Sequence, residues 1–307
     1  MSQNKSIIVK LSGRFGNQLF QYATGYALAK INGFNLAVDI SEYQIHQKMN
    51  DYTIGKLIPD IIVAKSSDVK KAIGFRFPFS PKQKIYWKTL SKVEHILLLK
   101  KLFFAKSYIR EPHFQYWSEL KKINKSCLIY GVWQSELYFK EYRKDLLNIF
   151  ELKKLSCIYS NDFYKRIQND ANSVAVHIRR GDYLNPQTQS FHGVCDLEYY
   201  QKSMKIVSEQ AQNPSFYIFT DDPEWATAQF KDLANVELIV PPNECDDVDS
   251  FWLMRTCRHQ IIANSSFSWW AAWLNQNSQK IVIAPKKWFQ NSDIITTDIY
   301  PKEWILV

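Results

Sequence analysis

The chain has 307 residues, 46% of them hydrophobic and 22% charged, with a net charge of +9. That length suits about two domains, and the balance excludes a disordered or fibrous polymer. Ten Trp, seventeen Tyr and nineteen Phe supply large rigid surfaces, most for cores and some for stacking on flat sugar faces.

In chain order, a strand is expected over 7–11, then a turn Gly13-Arg14-Phe15-Gly16-Asn17-Gln18 and a helix over 17–31. Ala23, Gly25, Ala27 and Ala29 let that helix pack closely. A second strand is expected over 35–38. Residues 39–90 give mixed signals, broken by Pro59, Pro78 and Pro81. A helix is expected over 90–104, a strand over 127–132 and an amphipathic helix over 135–150. The boundary is placed near 151–156, giving domains 1–155 and 156–307.

Between Lys65 and Arg110 stand twelve Lys or Arg against only Asp68 and Glu94. Phe75, Phe77, Phe79, Tyr86, Trp87, Phe103 and Phe104 interleave them. A solvated basic face, nucleic acid and an anionic membrane surface all use such charge. The apolar residues favour the membrane, and no nucleic-acid motif supports the second reading.

The second half alternates more cleanly. Strands are expected over 174–178, 216–220, 236–240, 260–264 and 281–284, with helices over 197–210, 223–230, 248–257 and 266–274. Strands separated by helix-length segments mean βαβ units and a largely parallel sheet. Neither the Rossmann glycine fingerprint nor a P-loop is present here, which disfavours dehydrogenases and P-loop enzymes.

The five cysteines, Cys127, Cys157, Cys195, Cys245 and Cys257, are widely spaced and odd in number. Neither a disulfide framework nor a zinc site is expected, and a cytoplasmic setting follows. Nothing at the start reads as a leader, and no apolar run is long enough to span a bilayer.

Chemistry concentrates at strand ends. In Val174-Ala175-Val176-His177-Ile178-Arg179-Arg180-Gly181-Asp182, alternation puts His177 and Arg179 on one face. Arginine at the carboxyl end of a buried strand suits a phosphate. Asp182 can orient one guanidinium and leave the other free for an anion; a plain ion pair closing a loop is the alternative. Asn264-Ser265-Ser266-Phe267-Ser268-Trp269-Trp270 leaves another strand and opens a helix. It offers an anion site on hydroxyls and free amides, or ordinary N-capping. In a parallel sheet, Arg179 and this turn share an edge and can clamp one diphosphate. Asp249 can accept from a guanine edge or cap its own helix with Asp246 and Asp247. Asp221 and Asp222 before Pro223 invite a metal, but the structural turn is favoured. Arg14, Asn17 and Gln18 offer polar groups at the mouth of the first sheet.

The segments Gly13–Gln18, His177–Asp182 and Asn264–Trp270 together resemble those of bacterial α-1,2-fucosyltransferases of glycosyltransferase family 11, whose hallmark is H-x-R-R-x-D. The likeness runs over nearly the whole chain and is weakest across 40–125. It implies an α/β, GT-B-like fold of two Rossmann-like domains facing across a cleft, the second holding GDP-β-L-fucose and the first serving the acceptor. It implies inverting, metal-independent transfer to the 2-hydroxyl of a galactose, without a cofactor. Arg179 would contact the diphosphate with Arg180 beside it, and His177 and Asp249 the nucleotide. Ser265, Ser266 and Phe267 would line the phosphate side. Arg14 and Asn17 would lie near the reacting sugar, and Asp182 would orient arginine or act as base. The expected acceptor is a galactose-terminated or lipid-linked surface glycan, of the O-antigen type. Another nucleotide sugar, or a non-catalytic nucleotide- or glycan-binding module, is the rival reading.

Overall fold

Short β-branched runs buried on both faces are the signature of parallel strands covered by helices, and each half of the chain folds around such runs. In the computed structural model the described residues are 5–73 and 107–307. The helix expected over 90–104, and with it most of the basic stretch 65–110, lies outside them. The chain divides into two compact units, Met1–Phe150 and Glu151–Val307.

The first unit runs β1 (Ser6–Lys10), α1 (Phe15–Asn32), β2 (Asn35–Asp39), α2 (Ser41–Ile45), α3 (Ser66–Ile73), β3 (Tyr108–Arg110), β4 (Cys127–Tyr130) and α4 (Arg143–Ile149). Its sheet has the order β2-β1-β4-β3, and every pairing is parallel. Ile7, Ile8 and Val9 of β1 are all buried. Helix α1 lies so close to β1 that a Cβ on Gly25 would stand 2.0 Å from Val9 Cγ2. It ends at Gly33 in the left-handed region, whose N–H donates to the carbonyls of Ala29 and Lys30, as C-terminal caps require.

The helix expected over 135–150 is corrected. Two 3-10 turns, Glu136–Tyr138 and Lys140–Tyr142, precede α4. Tyr138 and Phe139 are buried, with the Phe139 ring 6.0 Å from Phe20 and the Tyr138 ring 5.4 Å from Trp133. Aromatic burial overrides helical periodicity at that point.

The second unit runs α5 (Ile158–Asn169), β5 (Ser173–Ile178), α6 (Pro186–His192), α7 (Leu197–Gln210), β6 (Ser215–Thr220), α8 (Pro223–Phe230), β7 (Val236–Ile239), α9 (Asp247–Thr256), β8 (His259–Ile261), α10 (Ser266–Leu274), β9 (Val282–Ala284) and β10 (Ile305–Leu306). The expected strands and helices of this half are all present, the strand over 260–264 ending early at Ile261. The sheet order is β10-β9-β8-β5-β6-β7, parallel throughout. Counted from β5 and read from the β7 edge, that is the 3-2-1-4-5-6 order of the Rossmann fold. Val174, Val176 and Ile178 form one core with Tyr200, Met204 and Val207 of α7 and with Ala226 and Phe230 of α8. The fold class is therefore α/β and GT-B-like, with two Rossmann-like units.

The cysteine expectation is also corrected. Cys157 and Cys245 form a disulfide, with Cα atoms 5.4 Å apart and a sequence separation of 88. Such a pair is invisible to spacing rules because only the packing of α5 beside the loop before α9 brings it together. Cys127, Cys195 and Cys257 are buried free thiols. Among the described residues, no helix is long and apolar enough to cross a membrane.

Candidate active site

In the second unit the strand order reverses between β5 and β8, and open α/β sheets bind ligands at the carboxyl ends of the strands beside such a reversal. The two segments leaving those ends are 177–182 and 264–268. His177 Nδ1 lies 2.8 Å from Ser268 Oγ, joining them directly. The His177 ring sits 5.9 Å from Phe267, which in turn lies 5.5 Å from Phe251. Burial, and secondarily the Arg179 charge, push the His177 pKa down to about 3, against a smaller opposing pull from Asp221. The imidazole is neutral at physiological pH.

Arg179 is held from two sides, by Asp182 Oδ1 at 2.6 Å and Asp221 Oδ2 at 2.9 Å, and stands over the Tyr183 ring. Arg180 pairs through Nε with Asp222 Oδ2 at 3.0 Å and lies 4.2 Å over Trp225. The backbone N–H groups of Arg180 and Gly181 donate to Asp221 Oδ1 at 2.8 and 3.1 Å. Asp182 thus pairs with Arg179 as expected. The expectation that one guanidinium stays free is corrected, because both are paired with carboxylates. A guanidinium has five donors, so pairing leaves further N–H groups to aim at a ligand. Asp222 has the structural duty favoured from sequence, capping α8 through the Trp225 N–H, whereas Asp221 holds Arg179 and the backbone N–H groups instead.

Ser265 caps α10, its Oγ accepting from the Phe267 N–H at 3.4 Å, and Ser266 follows half-buried at the first helical position. Asn264 is spent on the fold: its amide donates to the His192 carbonyl at 2.8 Å and the Trp288 carbonyl at 3.2 Å.

Asp249 is only 1% exposed. Asp246, not Asp249, caps α9, accepting from the Val248 N–H. Both Asp249 oxygens accept from the Ser156 N–H at 3.0 Å, and Oδ2 also accepts from the Ser156 hydroxyl at 2.7 Å. Its carboxylate is a clasp to the start of the unit, a duty that no local pattern signals.

The first unit carries its motif at the carboxyl end of β1, which lies between β2 and β4 in the sheet. Gly13, at φ +69°, turns the chain there, a conformation open to glycine. Gln18 is buried and fully engaged. Its amide donates to the carbonyls of Gly13 and Asp51, and its Oε1 accepts from the N–H groups of Thr53 and Ile54. Asn17 Oδ1 accepts from Gln134 at 2.8 Å, and Arg14 is exposed at the turn. Sequence reasoning missed Gln21, Gln134, Tyr183 and the arginine-holding role of Asp221. Only Tyr183, adjoining the H-x-R-R-x-D run, carried a local signal.

The pattern described as Glycosyl transferase family 11 matches residues 79–307. The chain is 32% identical to an alpha-1,2-colitosyltransferase of Escherichia coli, over 98% of each protein. It is 31% identical to the O-antigen biosynthesis glycosyltransferase WbnK of Escherichia coli, covering 94% of this chain and 97% of that one. It is 23% identical to the galactoside 2-alpha-L-fucosyltransferase Sec1 of Mus musculus, covering 89% of this chain and 66% of the relative. With the family pattern matched over most of the chain and these relatives in agreement, the chain belongs to glycosyltransferase family 11.

Proposed function

We propose that this enzyme transfers L-fucose from GDP-β-L-fucose to the 2-hydroxyl of a terminal galactose, with inversion, in building an O-antigen-type surface glycan. The observation that carries the reading is Arg179, fixed by Asp182 and Asp221 at the strand reversal, on the edge where α10 begins. Breaking the sugar–phosphate bond leaves growing negative charge on the diphosphate. A preorganised guanidinium and helix-start amides stabilise that charge more in the transition state than in the ground state. With Asp221 and Asp222 engaged by Arg179, Arg180 and backbone N–H groups, the reading needs no metal and no cofactor. His177, Phe267 and Ser266 serve the nucleotide and phosphate side, and Arg14 and Asn17 the reacting sugar. Asp249 reads the guanine edge in this proposal only by sharing or releasing its clasp on Ser156.

The relative named for colitose favours a second reading, in which the donor carries that deoxy sugar. Incubating the enzyme with GDP-fucose or GDP-colitose, with and without β-galactosides, and following GDP release and the product linkage decides between them. Acceptor-dependent release from GDP-fucose with an α-1,2 product supports the first reading, and release from GDP-colitose alone replaces it. The proposal also puts the reaction in the cytoplasm on a lipid-linked acceptor, with the basic stretch 65–110 against an anionic membrane surface. Vesicle flotation of the enzyme with Lys82, Lys84, Lys88 and Lys92 changed to Gln tests that contact.

A further inference from the structure

The segment that leaves β5 does not run away from the sheet. The Leu184 N–H donates to the Arg180 carbonyl at 2.9 Å, and a 3-10 turn over Asp182–Leu184 brings the chain back on itself. Gly181 permits that close return, since a Cβ there would stand 2.8 Å from Asp221 Oδ2. Tyr183 thereby comes back to Arg179, whose Cζ stands over its ring, 5.5 Å from the centroid. The carboxylates of Asp182 and Asp221 hold the guanidinium by its N–H groups. The ring adds a contact of another kind, cation against π-face, which takes up none of those donors.

The Tyr183 ring is itself held in place. It stacks on His192 at 4.8 Å, with 18° between the planes. Its hydroxyl donates to the Asn264 carbonyl at 3.3 Å, and the side-chain amide of the same Asn264 donates to the His192 carbonyl at 2.8 Å. Burial pushes the Tyr183 pKa up to about 12, so the hydroxyl keeps its proton and stays a donor at neutral pH. Asn264 immediately precedes Ser265, the cap of α10. One aromatic side chain therefore touches the arginine on the segment leaving β5 and the backbone that opens α10 on the segment leaving β8.

We infer that Tyr183 is a positioning residue, a strut that sets the Arg179 guanidinium against the start of α10 so that both meet one diphosphate. The inference rests on the nucleotide-sugar reading above, and every residue it uses belongs to the second unit. Its two parts act through different neighbours. The ring works through Arg179 and has nothing to hold once that guanidinium is gone. The hydroxyl works through Asn264 and is indifferent to the side chain at 179. A ring that only filled space beside His192 would matter equally with or without the arginine.

The test reads GDP affinity by calorimetry on the whole chain, for Tyr183→Phe and Tyr183→Leu, each made with Arg179 and with Arg179→Ala. Circular dichroism reports the fold. Phe keeps the ring and loses the hydroxyl; Leu loses both. With Arg179 present, Tyr183→Leu is expected to bind GDP roughly tenfold more weakly than Tyr183→Phe, the size of a desolvated cation–π contact. In the Arg179→Ala background that ratio is expected to fall to about one, because the ring no longer has its cation. Tyr183→Met, an adaptable filler without a π-face, repeats the comparison where the Leu variant does not fold. A Leu-to-Phe ratio near one with Arg179 present overturns the assignment, and so does an equal ratio in the two backgrounds. A wild type that binds no nucleoside diphosphate strikes the nucleotide-sugar reading and the strut with it. A wild type that binds, with losses that simply add, strikes the strut alone.

Discussion

The carboxyl-end edges of the two sheets are built from opposite materials. In the second unit the edge is ionic: Arg179 and Arg180 interlock with Asp182, Asp221 and Asp222 within 3.0 Å. In the first unit it is made largely of neutral amides, Asn17, Gln18, Gln21 and Gln134 bonded to backbone and to one another. Charge-assisted bonds are roughly twice as strong as neutral ones, and they suit a group that is itself charged. Neutral amides set the shape of a turn without adding field. The difference teaches how one pattern of parallel sheet, used twice, carries a charged edge in one unit and an uncharged, amide-built edge in the other.

The sharpest way to break the comparison is Arg179→Ala. Losing one preorganised donor at a developing anion costs roughly 10²–10³ in rate, and the loss of ground-state binding adds to it. Lysine at 179 is expected to rescue poorly, since it keeps the charge but not the planar fork. Steady-state kinetics with circular dichroism as the folding control checks this; a folded Ala variant within tenfold of wild type removes the ionic edge from the chemistry.

Asp249→Ala is expected to cost on the order of 3 kcal/mol in stability, since two backbone and hydroxyl bonds to a charged group disappear from a buried clasp. Denaturant titration measures that, and GDP affinity measured on the folded fraction separates a clasp from a guanine reader. A loss of affinity with no loss of stability would reverse the structural reading.

A smaller effect is expected from the neutral edge. Gln18→Ala leaves the Thr53 and Ile54 N–H groups without their acceptor, at about 1–3 kcal/mol for a buried polar group. GDP binding by the second unit is expected to be unchanged, as calorimetry would show; a matching fall in GDP affinity would mean that the two edges are not independent. The smallest effect is expected from excess EDTA, which should leave turnover intact. Loss of activity restored by magnesium or manganese would convert Asp221 and Asp222 from arginine anchors into ligands.

The fold is most legible where sequence alone determines burial. The run Val174–Ile178 reads as a covered strand because nearly every residue is β-branched or small, and Pro223 after two aspartates announces a helix start. The His177–Asp182 run is legible as a candidate site because so many ionisable groups rarely stand together without a task. What escapes is every feature fixed by tertiary neighbours. The partner of Arg179 forty-two positions on, Asp221, has no local signature. Asp249 reads locally as part of its own helix start, whereas it binds Ser156, ninety-three positions away. The helix expected over 135–150 fails for the same reason, as Tyr138 and Phe139 have aromatic neighbours that periodicity does not count.

The link between Cys157 and Cys245 makes a covalent ring of α5, β5, α6, α7, β6, α8 and β7, with the H-x-R-R-x-D run inside it. A protease that nicks one peptide bond anywhere in that ring frees no fragment. The cut protein migrates as an intact chain on a non-reducing gel and separates into two pieces only when thiol is added. An exposed loop such as the one after α8, residues 231–235, can therefore be severed while both sides of the break stay tethered, so that the arginine-bearing edge outlives an injury that would divide an unbridged chain.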